Sequence, residues 1–200
     1  MDFFISTFLK LFFLMTPFFV LTMFLTMTKD ATKDERKALA LKVTMSVTIA
    51  SLVLLFFGKH IFTLFGITLD AFRIGAGALL FLTAIDLVRG KRHESNFEEK
   101  DISQLAVVPL AIPMIIGPGT TGILLVMGAS FNNSTTLMIG LIALLCAVFV
   151  VGLMLYTSSF LEEFMGHEAL LVISKITGLI LAALSAQIVF TGVKNFLGLQ

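Results

Sequence analysis

Apolar stretches separated by short charged ones occupy residues 3–27, 38–57, 71–88, 105–130, 137–160 and 169–196. None alternates apolar and polar residues with a period of two, the mark of a membrane β-barrel strand, whereas a helix satisfies the backbone of an uninterrupted apolar run internally. Each run is long enough to cross a hydrocarbon core, which takes roughly 17–25 residues. The pattern predicts an all-α membrane protein of six transmembrane helices in a single integral domain, residues 1–200. Between the second and third runs lies KHIFTLFGITLD, which fits either a short interfacial helix or an extension of the third span.

Composition points the same way: 58% of residues are hydrophobic and 14% charged, against roughly 45–50% and 25% in a soluble domain. Mean hydropathy is +1.02. The net charge is only +1 and the basic residues form no continuous stripe, which argues against nucleic acid as a partner. Two segments concentrate them. Residues 28–42 carry Lys29, Lys33, Arg36, Lys37 and Lys42, residues 89–104 carry Arg89, Lys91, Arg92 and Lys100, and residues 132–136 carry none. Lys and Arg mark cytoplasmic loops, so both basic segments are expected inside and both termini outside; Lys59 and Arg73 oppose this weakly, and the acidic LEEFMGHE contributes little. The basic segments could also hold anionic lipid headgroups. The N-terminal run has no basic flank or small-residue cleavage site and reads as a retained first helix.

Chemistry is sparse. Cys146 is the only cysteine, so no disulfide or thiol relay can form within one chain. No phosphate-cradling Gly-x4-Gly-Lys-Ser/Thr string occurs. No Ser-His or paired-carboxylate arrangement falls in mid-span, and His60 and His167 lie at span ends. The expectation is a protein that is not an enzyme and carries no cofactor or metal.

An internal repeat organises the chain. RIGAGALLFLTAIDLV from Arg73 matches KITGLILAALSAQIVF from Lys175, with Thr83 opposite Ser185. The halves, about 1–90 and 105–200, hold three spans each and are joined by the charged segment 89–104, and an odd number of spans makes the repeat inverted. The first and fourth spans correspond as well: Pro17 interrupts LMTPFFVLTMFL, while Pro113 and Gly117-Pro118-Gly119 interrupt LAIPMIIGPGTTGILL. Proline removes a donor and clashes with the preceding turn, and backbone freed at membrane depth must line a cavity or meet protein, water or substrate.

These blocks carry a resemblance. FGITLDAFRIGAGALLFL, VPLAIPMIIGPGTTG and EALLVISKITGLILAALSAQIVFTGV, in this order across nearly the whole chain, resemble the MarC family of integral membrane proteins, which includes transporters annotated for small neutral amino acids. The resemblance implies six spans, a bacterial or archaeal cytoplasmic membrane, kinship with amino-acid exporters and no known enzymatic activity. The chain departs from the family in its first helix. A block like Asp-or-Asn-Pro-x-Gly-Asn-x-Pro is replaced by Thr16, Pro17, Phe18, Phe19, Val20, Leu21 and Thr22, which predicts a milder, more apolar first break.

Candidate binding residues follow from the breaks and from the few polar groups within spans. At the first break they are Thr16, Pro17 and Thr22; at the second, Pro113, Gly117, Pro118, Gly119, Thr120 and Thr121, whose prolines cannot donate and whose hydroxyls adjoin free helix amides. Arg73 could grip a carboxylate through its fork of donors, although it and Lys175 also read as interfacial anchors. Gln187 could contact substrate or another helix. Asp86 is a candidate coupling residue for H+ or Na+, with an i+3 pair to Arg89 as the plain alternative. Lys10 reads as an outer-face anchor. Small residues at Gly75, Ala76, Gly77 and Ala78 and at Ala182, Ala183, Ser185 and Ala186 allow close approach of helices and predict that the third and sixth spans pack against the interrupted first and fourth; a homo-oligomer stays open. The leading expectation is secondary transport of a small polar solute such as a neutral amino acid; the alternative is a non-transporting membrane scaffold or subunit.

Overall fold

The computed structural model describes residues 2–90, 106–131 and 133–198, and every regular element among them is helical. The first apolar run forms two helices, α1 (Asp2–Leu14) and α2 (Pro17–Met27). Pro17 opens α2 and has no amide to give, so the backbone turns through Thr16 in a left-handed conformation, φ 48° and ψ 52°.

Helix α3 (Lys33–Phe65) begins earlier and ends later than the apolar run. A reciprocal cap starts it: Thr32 Oγ1 accepts from the Glu35 amide at 3.3 Å, and Glu35 Oε2 accepts from the Thr32 amide at 2.8 Å. Basic residues Lys33 to Lys42 are therefore helical. KHIFTLF continues α3, which corrects both expectations for it, because nothing stops the helix before Gly66, which takes φ 63°. Thr68 then caps α4 (Leu69–Arg89), accepting from the Ala71 amide at 3.2 Å. Lys91, Arg92 and Lys100, and with them most of the charged segment 89–104, lie outside the described residues, as do Asn132 and the side chains of Lys59 and His167.

The fourth apolar run is also divided. Val107–Ile115 is an irregular, wide-turned segment in which Val108 (φ −125°, ψ 119°) and Ile112 (φ −131°, ψ 122°) are extended. Each precedes a proline, Pro109 and Pro113, whose ring excludes the helical region for the residue before it. Gly117, extended, leads into α5 (Pro118–Ser130), again opened by proline. Asn133 caps α6 (Ser134–Tyr156), accepting from the Thr136 amide at 2.7 Å. The last element, α7 (Ser158–Phe196), bends at Gly166 (φ 74°, ψ 157°), so LEEFMGHE is a helical turn and a corner where a loop was expected.

Among the described residues, five stretches are long and apolar enough to cross a membrane: Asp2–Met27, Lys33–Phe57, Leu69–Arg89, Ser134–Tyr156 and Glu168–Phe196. The fourth predicted span is not among them, because its break leaves α5 only 13 residues.

Helices α4 and α7 pack antiparallel along their length. A Cβ on Gly192 would lie 3.1 Å from Arg73 Cβ, one on Gly77 3.2 Å from the Ser185 carbonyl, and one on Gly178 3.1 Å from the Ala84 carbonyl. Helix α5 lies against α4 through Gly122 and Ala76, and against α3 through Gly128 and the Leu55 carbonyl. Gly152 of α6 meets Thr44 of α3, α1 packs on α6, and α2 packs on α7. Leu11, Met15, Leu21, Phe24, Leu80, Leu110 and Leu144 are fully buried between them. Outward faces are also apolar: Met45, Ile49, Val53 and Phe56 on α3, and Met138, Ile142, Phe149 and Leu153 on α6. Faces apolar on both sides of a helix suit hydrocarbon surroundings.

Candidate functional site

Two cavities approach each other inside the helix assembly. The first, about 580 Å³, takes Thr7 and Lys10 from α1, Arg73 from α4, Ser130 from α5, Asn133 and Thr136 at the start of α6, and Gln187 and Thr191 from α7. The second, about 370 Å³, is lined by Thr16, Thr83, Asp86, Pro113 and the run Gly117 to Thr120. Leu14 and Leu80 line both. Along α1 the order is Lys10, Leu14, then the break at Thr16; along α4 it is Arg73, Leu80, then Asp86. The cavities therefore lie on opposite sides of a barrier at Leu14 and Leu80, which are 4% and 1% exposed.

The two helix breaks meet at that barrier. Thr120 Oγ1 donates to the Leu14 carbonyl at 3.1 Å, satisfying an acceptor that α1 exposes where it stops. Gly119 closes the barrier from the other side: a Cβ there would stand 2.9 Å from Leu80 Cα. Neither α2 nor α5 has a side-chain cap. The first-turn amides of Phe18, Phe19, Gly119 and Thr120 thus have no helical partner, and the positive ends of both helices point to the region of the second cavity, where Phe19, Gly119 and Thr120 all lie.

The sequence candidates are divided between the cavities. Arg73 and Gln187 line the first; Thr16, Asp86, Pro113, Gly117, Pro118, Gly119 and Thr120 line the second. Pro17 opens α2, Thr22 is buried and donates to the Phe18 carbonyl at 2.9 Å, and Thr121 is half-buried; these three line neither. Thr120 spends its hydroxyl proton on Leu14, so it is first a tie between the breaks. Asp86 makes no ion pair with Arg89 and has no charged partner among the described residues. Arg73 is held by Asp70 at 2.6 Å and donates to Ser130 Oγ at 3.1 Å, while Asn195 donates to the same Asp70 oxygen at 3.3 Å.

Sequence reasoning missed Thr7, Ser130, Asn133, Thr136 and Thr191, and took Lys10 only as an anchor. Thr7, Lys10, Leu11 and Leu14 recur at spacings of three and four, so one face of α1 could have been drawn. Nothing local marks Ser130 or Asn133, which come from the last residue of α5 and the cap of α6.

Long apolar helices whose outward faces are also apolar define a multi-pass integral membrane protein. Residues 1–197 match the family described as MarC family integral membrane protein. A UPF0056 membrane protein of Aquifex aeolicus is 32% identical, with 97% of this chain and 94% of that protein covered. One from Methanocaldococcus jannaschii is 30% identical over 98% of each chain, and the UPF0056 membrane protein YvbG of Bacillus subtilis is 31% identical over 97% and 95%. The chain belongs to the MarC family. No solved structure matches it.

Proposed function

We propose that the protein is a secondary transporter of a small polar solute, a neutral amino acid being the first instance to test, and that it works by alternating access. The carrying observation is the pair of cavities on opposite sides of one thin barrier, formed by Leu14, Leu80 and Gly119 where two interrupted helices meet. Solute transport needs little else: a vestibule on each side, a binding region at the break, and a barrier that one half of the molecule can open against the other. A cavity of several hundred Å³ suits a small molecule.

In this reading the chain has six spans, with α1–α2 and the divided stretch 107–130 as equivalent broken spans of two inverted halves. Support comes from symmetric contacts. The same sequence separation relates Arg73 to Lys175 and Gly192 to Gly90; Gly192 packs on Arg73, and a Cβ on Gly90 would lie 3.6 Å from Lys175 Cε. Likewise α2 packs on α7 as α5 packs on α4. The membrane is the prokaryotic cytoplasmic one, with both termini outside, so that the first cavity faces out and the second, with Asp86, faces in. Free first-turn amides of α2 and α5 receive the anionic part of the solute at the second cavity. Asp86, which has no charged partner among the described residues, exchanges H+ or Na+ there. Opening the barrier breaks the bond from Thr120 to Leu14 and slides Leu80 off Gly119. The work is transport, not catalysis.

Counterflow of labelled solutes into vesicles preloaded with a mixture of neutral amino acids tests the proposal. Uptake above that of protein-free vesicles, enhanced by an imposed proton or sodium gradient, is expected. No uptake across a broad panel of small polar solutes would leave a scaffold.

A further inference from the structure

We infer that the solute's ammonium and the coupling cation take turns on Asp86, so that the second cavity holds a zwitterion by both charges and the protein works as an exchanger. This rests on the reading of that cavity as the solute site and adds how solute and ion are coupled there. The anionic end has a built seat. Thr16, 4% exposed, lines the cavity, and its hydroxyl has no partner among the described residues. Thr16 is also β-branched and held at φ 48°, a left-handed conformation that strains such a residue and recurs at ligand sites. Its free O–H lies at the uncapped start of α2, and the uncapped first turn of α5 lines the same cavity, so a carboxylate meets hydroxyl and amide donors together.

The cationic end has one counter-charge. Among the described residues that line the second cavity, Asp86 alone is ionisable. Arg89 follows it on α4, and Lys175 approaches from α7, its Cε 3.6 Å from where a Cβ on Gly90 would lie, but neither forms an ion pair with Asp86. Thr83 and Thr120 donate to the Leu79 and Leu14 carbonyls, at 3.1 Å each, and their remaining lone pairs can add hydrogen bonds to an ammonium but no charge. Because the positive ends of α2 and α5 point there too, an ammonium stripped of water needs the carboxylate. The rest of the wall, including Phe19, Leu79, Leu82 and Met114, is apolar and suits a small aliphatic side chain. One carboxylate carries one charge. Holding H+ or Na+, it no longer offsets an ammonium, and holding the ammonium it has no charge left for the cation, so each turnover moves a solute one way and a cation the other.

Alanine and propionate differ only by the α-ammonium, so they separate the two ends of the site. Binding of each, radiolabelled, to the full chain in lipid nanodiscs is measured with empty discs subtracted, while Na+ and, separately, pH are varied over a range in which both carboxylates stay ionised. Alanine should bind saturably, and weaken about tenfold as one of the two cations is raised and about tenfold in Asp86→Asn. Propionate should tighten in both cases, because a like charge is removed from its neighbourhood. Damage to the fold weakens both ligands, so the opposite signs carry the test. Thr16→Val, which keeps the branch and the backbone strain, should weaken both about threefold or more. If Asp86→Asn does not fold, the cation titrations of the wild-type chain decide alone. No saturable alanine binding, alanine tightened or unmoved by both cations, the two ligands changing together in Asp86→Asn, or either one unaffected by Thr16→Val would each overturn the assignment. Alanine tightened by a cation, with flux in vesicles, removes exchange and leaves transport standing as symport; displacement of alanine by a cation without flux supports the site and removes transport instead.

Discussion

Gly119 packs against Leu80, which lines both cavities, so closely that a Cβ would stand 2.9 Å from the Leu80 backbone and 3.0 Å from two of its side-chain atoms. Because a backbone atom is the obstacle, trimming Leu80 cannot make room; α4 or α5 must move. Gly119→Val should therefore abolish counterflow in vesicles while Thr22→Val, on a residue that lines neither cavity, leaves it within about twofold of wild type. Equal loss in both would mean that the helix pair is merely damaged. The break at Gly117-Pro118-Gly119 was legible in GPGTTG, since two glycines flanking a proline in mid-span disfavour a continuous helix. The partner of Thr120 was not legible: its bond to Leu14 joins residues far apart in sequence, and no local pattern encodes it.

At the scale of elements, proline and glycine explain most of what the sequence disclosed. Pro17 and Pro118 each open a helix, as their missing amide permits only at a first turn. Capping explains what the apolar pattern concealed. Thr32 and Glu35 set the start of α3 by hydrogen bonding, five residues before the apolar run begins at Ala38, and hydropathy alone is blind to that. The corner within α7 is a second instance: LEEFMGHE is polar enough to read as a loop, yet only Gly166 leaves helical geometry. At φ 74° and ψ 157° Gly166 occupies a region closed to side chains. Gly166→Ala should lower the unfolding midpoint in detergent, for a cost of about 1–3 kcal/mol. Gly75→Ala, where a Cβ meets nothing within 4 Å, should not lower it. A midpoint unchanged in Gly166→Ala would show that the corner is not needed.

For the whole molecule, an arginine on each side ties the first half of the chain to the second. Arg73 reaches Ser130 beside the first cavity. Arg36 donates to the Thr28 carbonyl at 3.0 Å and reaches Ser159 at 3.4 Å and Glu162 at 3.8 Å near the start of α7. These ties were not legible because each joins residues from different helices. The distribution of charge predicts a sidedness instead: Lys29 to Lys42 cluster in one segment, and residues 132–136 carry no basic residue. In a Cys146→Ala background, cysteines at Lys33 and at Asn133 should react from opposite sides of the membrane. An impermeant reagent that reaches position 33 from outside intact cells would invert the proposed topology.

Alternating access is tested most directly at Thr120, which is 4% exposed and lines the second cavity but not the first. Thr120→Cys nearly preserves volume and, in the Cys146→Ala background, supplies the only thiol in the chain. Labelling with an impermeant thiol reagent is compared in intact cells and in inside-out vesicles. A barrier that opens to each side in turn predicts labelling in both preparations, and Gly119→Val, by jamming Leu80, should confine it to inside-out vesicles. Labelling of Thr120→Cys from one side only, with Gly119 intact, would contradict alternating access and leave two dead-end cavities in a static membrane protein.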